Sequence, residues 1–178
     1  MLSDRSALTC IRDDDSPLSQ VCKHDPPSDV ITAMLQENKE AALRKNCEGR
    51  YPLHVACMYG ASPEVIKLLV KVNEDAAIKK DKYGMLPIHL ACRFYVGKSQ
   101  RKSSRKSQEK RLVLILGRFI RMKPDIVLEE DGYGKCPIEQ ALESELSMYI
   151  IDALRNQAEI TLRKRYKCES KYDRLLTT

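Results

Sequence analysis

Apolar residues recur along this chain at intervals of three and four residues, in segments that are separated by polar turns. Three segments share this spacing: Ile31, Met34 and Leu35; Ile66, Leu69 and Val70; and Leu116, Phe119 and Ile120. Side chains at these intervals lie on one face of an α-helix. Each segment therefore predicts an amphipathic helix with one buried face.

A short proline-led segment precedes each of these helices and recurs once more near the carboxyl end. Its copies are Pro17-Leu18-Ser19-Gln20-Val21-Cys22, Pro52-Leu53-His54-Val55-Ala56-Cys57, Pro87-Ile88-His89-Leu90-Ala91-Cys92 and Pro137-Ile138-Glu139-Gln140-Ala141-Leu142. The first three prolines are 35 residues apart, and the fourth follows after 50, one period plus an insertion of 15. Proline favours the first position of a helix, and Ser16 and Ser62 are typical N-caps. Each unit predicts a turn, a short helix, a second turn and a longer helix.

A turn signature begins six residues before three of the four prolines. Its copies are Asn46-Cys47-Glu48-Gly49, Asp81-Lys82-Tyr83-Gly84 and Asp131-Gly132-Tyr133-Gly134. Asp and Asn open such turns because their side chains bind nearby backbone N–H groups, and glycine adopts the left-handed conformation that closes them.

These units resemble ankyrin repeats, whose signature is T-P-L-H-x-A and whose period is about 33 residues. The resemblance implies an all-α, ankyrin-type helical repeat solenoid of helix-turn-helix units joined by turn or β-hairpin fingers. We expect four repeats, at about 11–45, 46–80, 81–130 and 131–156, of which the outer two act as caps. Residues 1–10 precede them, and residues 157–178 follow as a basic tail or a capping helix.

Composition narrows the class of protein further. Polar and charged residues between Met1 and Pro17 predict no secretory signal, and no apolar run approaches the roughly 20 residues of a membrane span. The odd number of cysteines without a C-x-x-C pair indicates reduced thiols inside the cell: Cys10, Cys22, Cys47, Cys57, Cys92, Cys136 and Cys168. We expect a cytoplasmic, monomeric protein, with the nucleus as an alternative.

Catalytic and metal-binding interpretations find little support in the sequence. His54 and His89 occupy one repeat position, where the resemblance implies an imidazole that binds turn backbone, and His24 is expected at the surface. Cys22, Cys57 and Cys92 also recur at the repeat period. Packed helices lie about 8–10 Å apart, too far for disulfides or for one zinc ion. We therefore expect no catalytic residue, no metal and no cofactor.

The insertion at residues 97–111 carries seven basic residues against Glu109, a local charge of +6 that equals that of the whole chain. Its basic residues are Lys98, Arg101, Lys102, Arg105, Lys106, Lys110 and Arg111. Self-repulsion and a lack of apolar residues predict a mobile loop between the two helices of the third repeat. An inert solvated loop, a nuclear-targeting signal and a site for an acidic surface stay open. Ser103, Ser104 and Ser107 are candidate phosphorylation sites that could cancel this charge.

The resemblance also implies where a partner would bind, since turn tips and short-helix residues of such stacks line a concave groove. The groove candidates are Met58, Tyr59, Arg93 and Phe94, and the turn tips are Arg50, Lys82, Tyr83, Tyr133 and Lys135. Tyrosine and arginine are enriched among residues that carry interface energy.

Three functions follow from these observations. The first is a non-catalytic interaction module or scaffold that binds another protein through the groove and turn tips. The alternative has the basic loop and tail contact nucleic acid or an anionic membrane, with the repeats as a carrier, which predicts steeply salt-dependent binding. An enzyme on a repeat scaffold would need an acid–base pair with perturbed pKa values in a cleft.

Overall fold

The structure of the chain, a computed structural model, describes residues 15–98 and 105–176, with side chains for residues 15–95 and 105–165. Within these ranges the chain forms α-helices and short 3-10 helices and contains no strand. The α-helices are α1 (Pro17–Cys22), α2 (Ser28–Glu37), α3 (Pro52–Tyr59), α4 (Pro63–Val72), α5 (Pro87–Lys98), α6 (Arg105–Met122), α7 (Pro137–Glu143) and α8 (Met148–Leu176). The 3-10 helices are Lys39–Leu43, Glu74–Ile78 and Pro124–Leu128.

The helices stack in two rows. The short helices α1, α3, α5 and α7 contact one another in order, and so do the longer helices α2, α4, α6 and α8. Each short helix is followed along the chain by its long partner, so the apolar faces of both rows meet in one continuous core. Such stacking buries faces that a single helix pair would expose. The predicted all-α repeat solenoid is confirmed.

Local chemistry places the helix starts where the sequence predicted them. The hydroxyl of Ser16 accepts a hydrogen bond from the N–H of Ser19, and that of Ser62 accepts one from Val65, both at 3.3 Å. The next residue in each case is the proline at the first helical position. Both predicted N-caps are confirmed.

The cysteines that recur at the repeat period lie in the core. Cys22, Cys57 and Cys92 are buried and unpaired. Burial raises the pKa of the Cys22 thiol to about 12 and that of Cys57 well above its ordinary value. The prediction of separate core thiols is confirmed, whereas Cys10 lies outside the described residues and the side chain of Cys168 is not described.

The prediction that residues 97–111 form a mobile loop is wrong for the part of the insertion that the structure describes. Helix α5 continues to Lys98, and α6 already begins at Arg105. Gln108 is buried, and Arg111 lies 3.7 Å from the carboxylate of Asp25 in the first repeat. These contacts order the segment despite its charge. Four of the predicted residues lie outside the described ranges: Arg101, Lys102, Ser103 and Ser104.

The carboxyl-terminal segment is a helix that continues the stack. Helix α8 runs without a break through residue 156, where the sequence suggested a boundary. Ile150, Ile151, Leu154 and Ala158 on α8 are buried. Residues 157–176 are helical as the continuation of α8, and Ala158 among them is buried.

Candidate functional site

Three turns, which we name the fingers, project before the short helices at residues 46–50, 81–85 and 131–135. In each finger a carboxylate or amide oxygen accepts hydrogen bonds from two backbone N–H groups of the same turn, at 2.8–3.0 Å. These acceptors are Asn46, Asp81 and Asp131. The pKa of Asp131 is lowered, because hydrogen bonds from Lys135, Tyr133 and Gln140 outweigh the opposing effect of burial. Each finger is therefore fixed by its own side chain.

Neighbouring fingers are also bonded to each other. The N–H of Lys82 donates to the carbonyl of Glu48, and the N–H of Gly132 donates to the carbonyl of Tyr83, both at 2.9 Å. The same repeat positions thus form the same bond twice. The fingers make one row with a fixed spacing, which is a rigid platform for exposed side chains.

The two repeat-position histidines hold the bases of the fingers. His54 Nδ1 accepts from the N–H of Tyr51 at 3.3 Å, and its Nε2 lies 2.9 Å from the carbonyl of Lys79. His89 makes the equivalent contacts with Leu86 and Glu129. Burial lowers the pKa of His54 to about 4 and also lowers that of His89. Both imidazoles are neutral structural groups, as the resemblance implied, and His24 is exposed.

Arg50 does not have the exposure that we expected of a turn tip. The residue is only 7% exposed, and its Nε donates to the Asp81 carboxylate at 2.9 Å. Its guanidinium also pairs with Glu48 and lies 5.5 Å from the ring centre of Tyr83. Arg50 therefore ties the first finger to the second, because Asp81 offers a second carboxylate oxygen that the turn itself does not use.

The other turn tips differ in how much they offer to a partner. Lys82 is exposed, and Tyr83 and Tyr133 expose 43% and 64% of their surface. Lys135 is half-buried, and its amine pairs with the carboxylate of Glu143 on α7. The two tyrosines are thus the principal apolar surface on the fingers.

The predicted groove residues on the short helices are only partly accessible. Met58 and Tyr59 are half-buried, and Tyr59 packs against the core. Arg93 is exposed, and its guanidinium carbon lies 5.1 Å from the ring centre of the half-buried Phe94. The pair on α5 therefore presents an arginine stacked on an aromatic ring, whereas Tyr59 on α3 contributes to packing.

Two residues beside this pair were missed by the sequence analysis. Arg93, Phe94, Arg105, Glu143 and Ser144 line a cavity of about 400 Å³ between α5 and α7. The Ser144 hydroxyl donates to the carbonyl of Arg93 at 2.9 Å. A signal was available, because Glu143 and Ser144 follow Arg93 and Phe94 by 50 residues, the step that separates the last two prolines.

Among the side chains described, those of residues 15–95 and 105–165, no group of three or more His, Cys, Asp or Glu is arranged to hold a metal ion. Among the helices described, none combines the length and the apolar character that crossing a membrane requires.

Comparison with known families identifies the repeat. The family described as ankyrin repeats, in three copies, matches residues 18–100. No match to the chain is found among curated proteins.

Proposed function

Because residues 18–100 of this chain belong to the ankyrin-repeat family, we propose that it binds a partner protein through the fingers and short helices, without catalysis. Ankyrin repeats are generally protein–protein interaction modules, and the family is typically non-catalytic. We name the proposed surface the finger face, formed by Lys82, Tyr83, Arg93, Phe94 and Tyr133.

The observation that carries this proposal is the pair of exposed tyrosines on a rigid row of turns. Tyr83 and Tyr133 are 43% and 64% exposed, although their backbones are fixed by hydrogen bonds within and between fingers. A tyrosine offers a large apolar area and a polar hydroxyl at a low cost in side-chain entropy. Fixed backbones lower the ordering cost of association further.

Arg93 and Phe94 on α5, beside the carboxyl end of α7, form the second part of the proposed surface. Arg93 is exposed and stacks on Phe94 at 5.1 Å, so its guanidinium is oriented before a partner arrives. A guanidinium keeps its charge at every physiological pH and binds carboxylates through two parallel hydrogen bonds. The finger face therefore favours a partner that combines apolar side chains with a carboxylate.

Capture of a partner by variants of the whole chain tests the proposal. Removal of both finger tyrosines by Tyr83→Ala and Tyr133→Ala should weaken the captured complex about 30-fold, as expected for loss of about 2 kcal/mol at an interface centre. Leu114→Ala is the matched control, because Leu114 is 62% exposed but lies on α6. The affinity of a purified partner for each variant is measured by titration calorimetry. Equal affinities for the tyrosine variant and the wild type would exclude the finger face.

The Tyr59→Ala and Phe94→Ala double variant adds a second test of the predicted groove. Since Tyr59 packs against the core, part of its effect should be a loss of stability rather than of contact. Thermal unfolding of that variant separates the two effects.

Binding of nucleic acid or an anionic membrane by the basic segment is the competing proposal. It is less well supported, because Arg105 and Arg111 are already engaged with Glu109 and Asp25. A duplex DNA oligonucleotide and phosphatidylserine vesicles, titrated at several salt concentrations, distinguish it. Tight binding whose affinity falls steeply with salt would favour this function.

A further inference from the structure

A second surface lies at the opposite end of the helices from the fingers, where the short and long helices of a repeat are joined. A cleft of about 950 Å³ opens there between the first turns of α6 and the connection from α7 to α8. We name it the α6–α8 cleft. Its walls include Lys106, Glu109, Lys110, Val113, Ser147 and Tyr149. Its volume is within the range of about 300–1,000 Å³ that is typical of binding pockets.

The helical insertion forms one wall of this cleft. Lys106, Lys110 and Val113 are spaced four and three residues apart, so they share one face of α6. Glu109 fixes that wall to the opposite side, since its carboxylate accepts from the N–H of Ser147 at 3.2 Å. Arg105 bonds to the carbonyl of Glu145 and lies 3.5 Å from Glu109. The two sides of the cleft are therefore held together by polar contacts.

Arg105, Lys106 and Lys110 against Glu109 and Glu145 leave the lining of the cleft with one net positive charge. The carboxylate of Glu109 is occupied by Ser147 and Arg105. Lys106 and Lys110 are exposed, and neither forms an ion pair with any residue in the described part of the chain. An occupant that carries carboxylates would complement this charge.

Apolar surface lies beside the two lysines. Tyr149 at the start of α8 is 71% exposed, and its neighbour Met148 is 58% exposed. Val113 is half-buried on the α6 wall. An exposed aromatic side chain in a concave site is typical of surfaces that bind amphipathic peptides.

We propose that the α6–α8 cleft binds an acidic, amphipathic peptide segment of a partner protein. An apolar side chain of the peptide packs between Val113 and Tyr149, and its carboxylates pair with Lys106 and Lys110. The cleft is distinct from the finger tyrosines, although Arg105 borders both the cleft and the cavity beside Arg93 and Phe94.

Selection from a displayed library of random peptides on the whole chain tests the cleft. We expect enrichment of peptides that combine Asp or Glu with aliphatic or aromatic residues. Selected peptides are then synthesised and titrated by fluorescence anisotropy. The charge reversal Lys106→Glu with Lys110→Glu should weaken these peptides about tenfold or more, and Tyr149→Ala should also weaken them. The matched control Lys67→Glu with Lys71→Glu reverses two exposed lysines at the same spacing on α4.

Each outcome decides the proposal. Loss of binding in the Lys106 and Lys110 variant, with retention in the α4 control and in the Tyr83→Ala and Tyr133→Ala variant, supports it. Failure to enrich acidic peptides overturns it, and so does equal binding by the charge-reversed variant. If the selected peptides lose affinity only for the Tyr83→Ala and Tyr133→Ala variant, the cleft proposal is overturned and the finger face is supported. The cleft proposal is also overturned if Lys106 and Lys110 bind duplex DNA or phosphatidylserine vesicles and do not bind acidic peptides.

Discussion

A methyl group added at Gly84 should separate the second finger from the third. Gly84 has φ +71°, and a Cβ built there would lie 2.4 Å from the backbone nitrogen of Gly132 and 2.8 Å from its Cα. Both neighbours are backbone atoms, so no side chain can move aside. The substitution Gly84→Ala must therefore displace one finger from the other.

Three effects contribute to the loss of unfolding free energy in Gly84→Ala. A left-handed backbone costs an ordinary residue roughly 1–2 kcal/mol. Overpacking a close contact costs roughly 1–3 kcal/mol. Displacement also breaks the 2.9 Å hydrogen bond from Gly132 to the Tyr83 carbonyl, with a net contribution of roughly 0.5–1.5 kcal/mol. Gly84→Ala should lower the free energy of unfolding by roughly 3–6 kcal/mol on these values.

Gly134→Ala is a control that carries the cost of a left-handed backbone but not that of the steric contact between fingers. Gly134 has φ +74°, but a Cβ there would meet no atom within 4 Å. Both variants reduce the entropy of the unfolded chain equally, so that effect cancels in the comparison. Urea unfolding should show Gly84→Ala to be less stable than Gly134→Ala by about 2–4 kcal/mol. Equal losses in the two variants would refute the close stacking of the fingers.

Two further predictions concern buried charge. Burial lowers the His54 pKa from 6.5 to about 4, so between these pH values the unfolded chain binds a proton that the folded chain does not. The free energy of unfolding should therefore fall by about 3 kcal/mol, at 1.36 kcal/mol per pH unit, as the pH is lowered from 6.5 through 4. Urea midpoints that stay level over that pH range would contradict this prediction. Arg111→Met should lower the free energy of unfolding by about 1–3 kcal/mol, because the buried Asp25 side chain, 2% exposed, loses the guanidinium 3.7 Å away. Thermal unfolding should show that the double variant Arg111→Met with Asp25→Asn regains stability. The control Arg121→Met should have little effect.

The repeat itself could be predicted from sequence because its signals are local. The proline, the cap before it and the spacing of Ile66, Leu69 and Val70 each act within one or two helical turns. The Asx turn before Pro87 needs only Asp81 and the glycine that ends it. Such features specify the helices and fingers without any knowledge of what lies beside them.

The insertion could not be predicted in this way because its helix depends on distant residues. Arg111 is ordered by Asp25, and Glu109 by the N–H of Ser147, each far away in sequence. Local charge repulsion, the only signal in the segment itself, favours disorder. The tertiary contacts outweigh it.

Arg50 illustrates the same limit at a single residue. Its position in the turn predicted exposure, yet Arg50 is buried because it donates a hydrogen bond to Asp81 of the next repeat. The repeat period places these two residues in adjacent fingers, but it does not show which carboxylate oxygen is free. The α6–α8 cleft was missed for a related reason, since one of its walls comes from an insertion that has no counterpart in the repeat pattern.

Amide hydrogen exchange of the chain with and without its captured partner tests the central proposal most directly. If the finger face binds the partner, added protection should be concentrated in the fingers at residues 81–85 and 131–135 and at the end of α5. Exchange along α2 and α4 should stay unchanged. Protection confined to the long-helix row, with none in the fingers, would contradict the account.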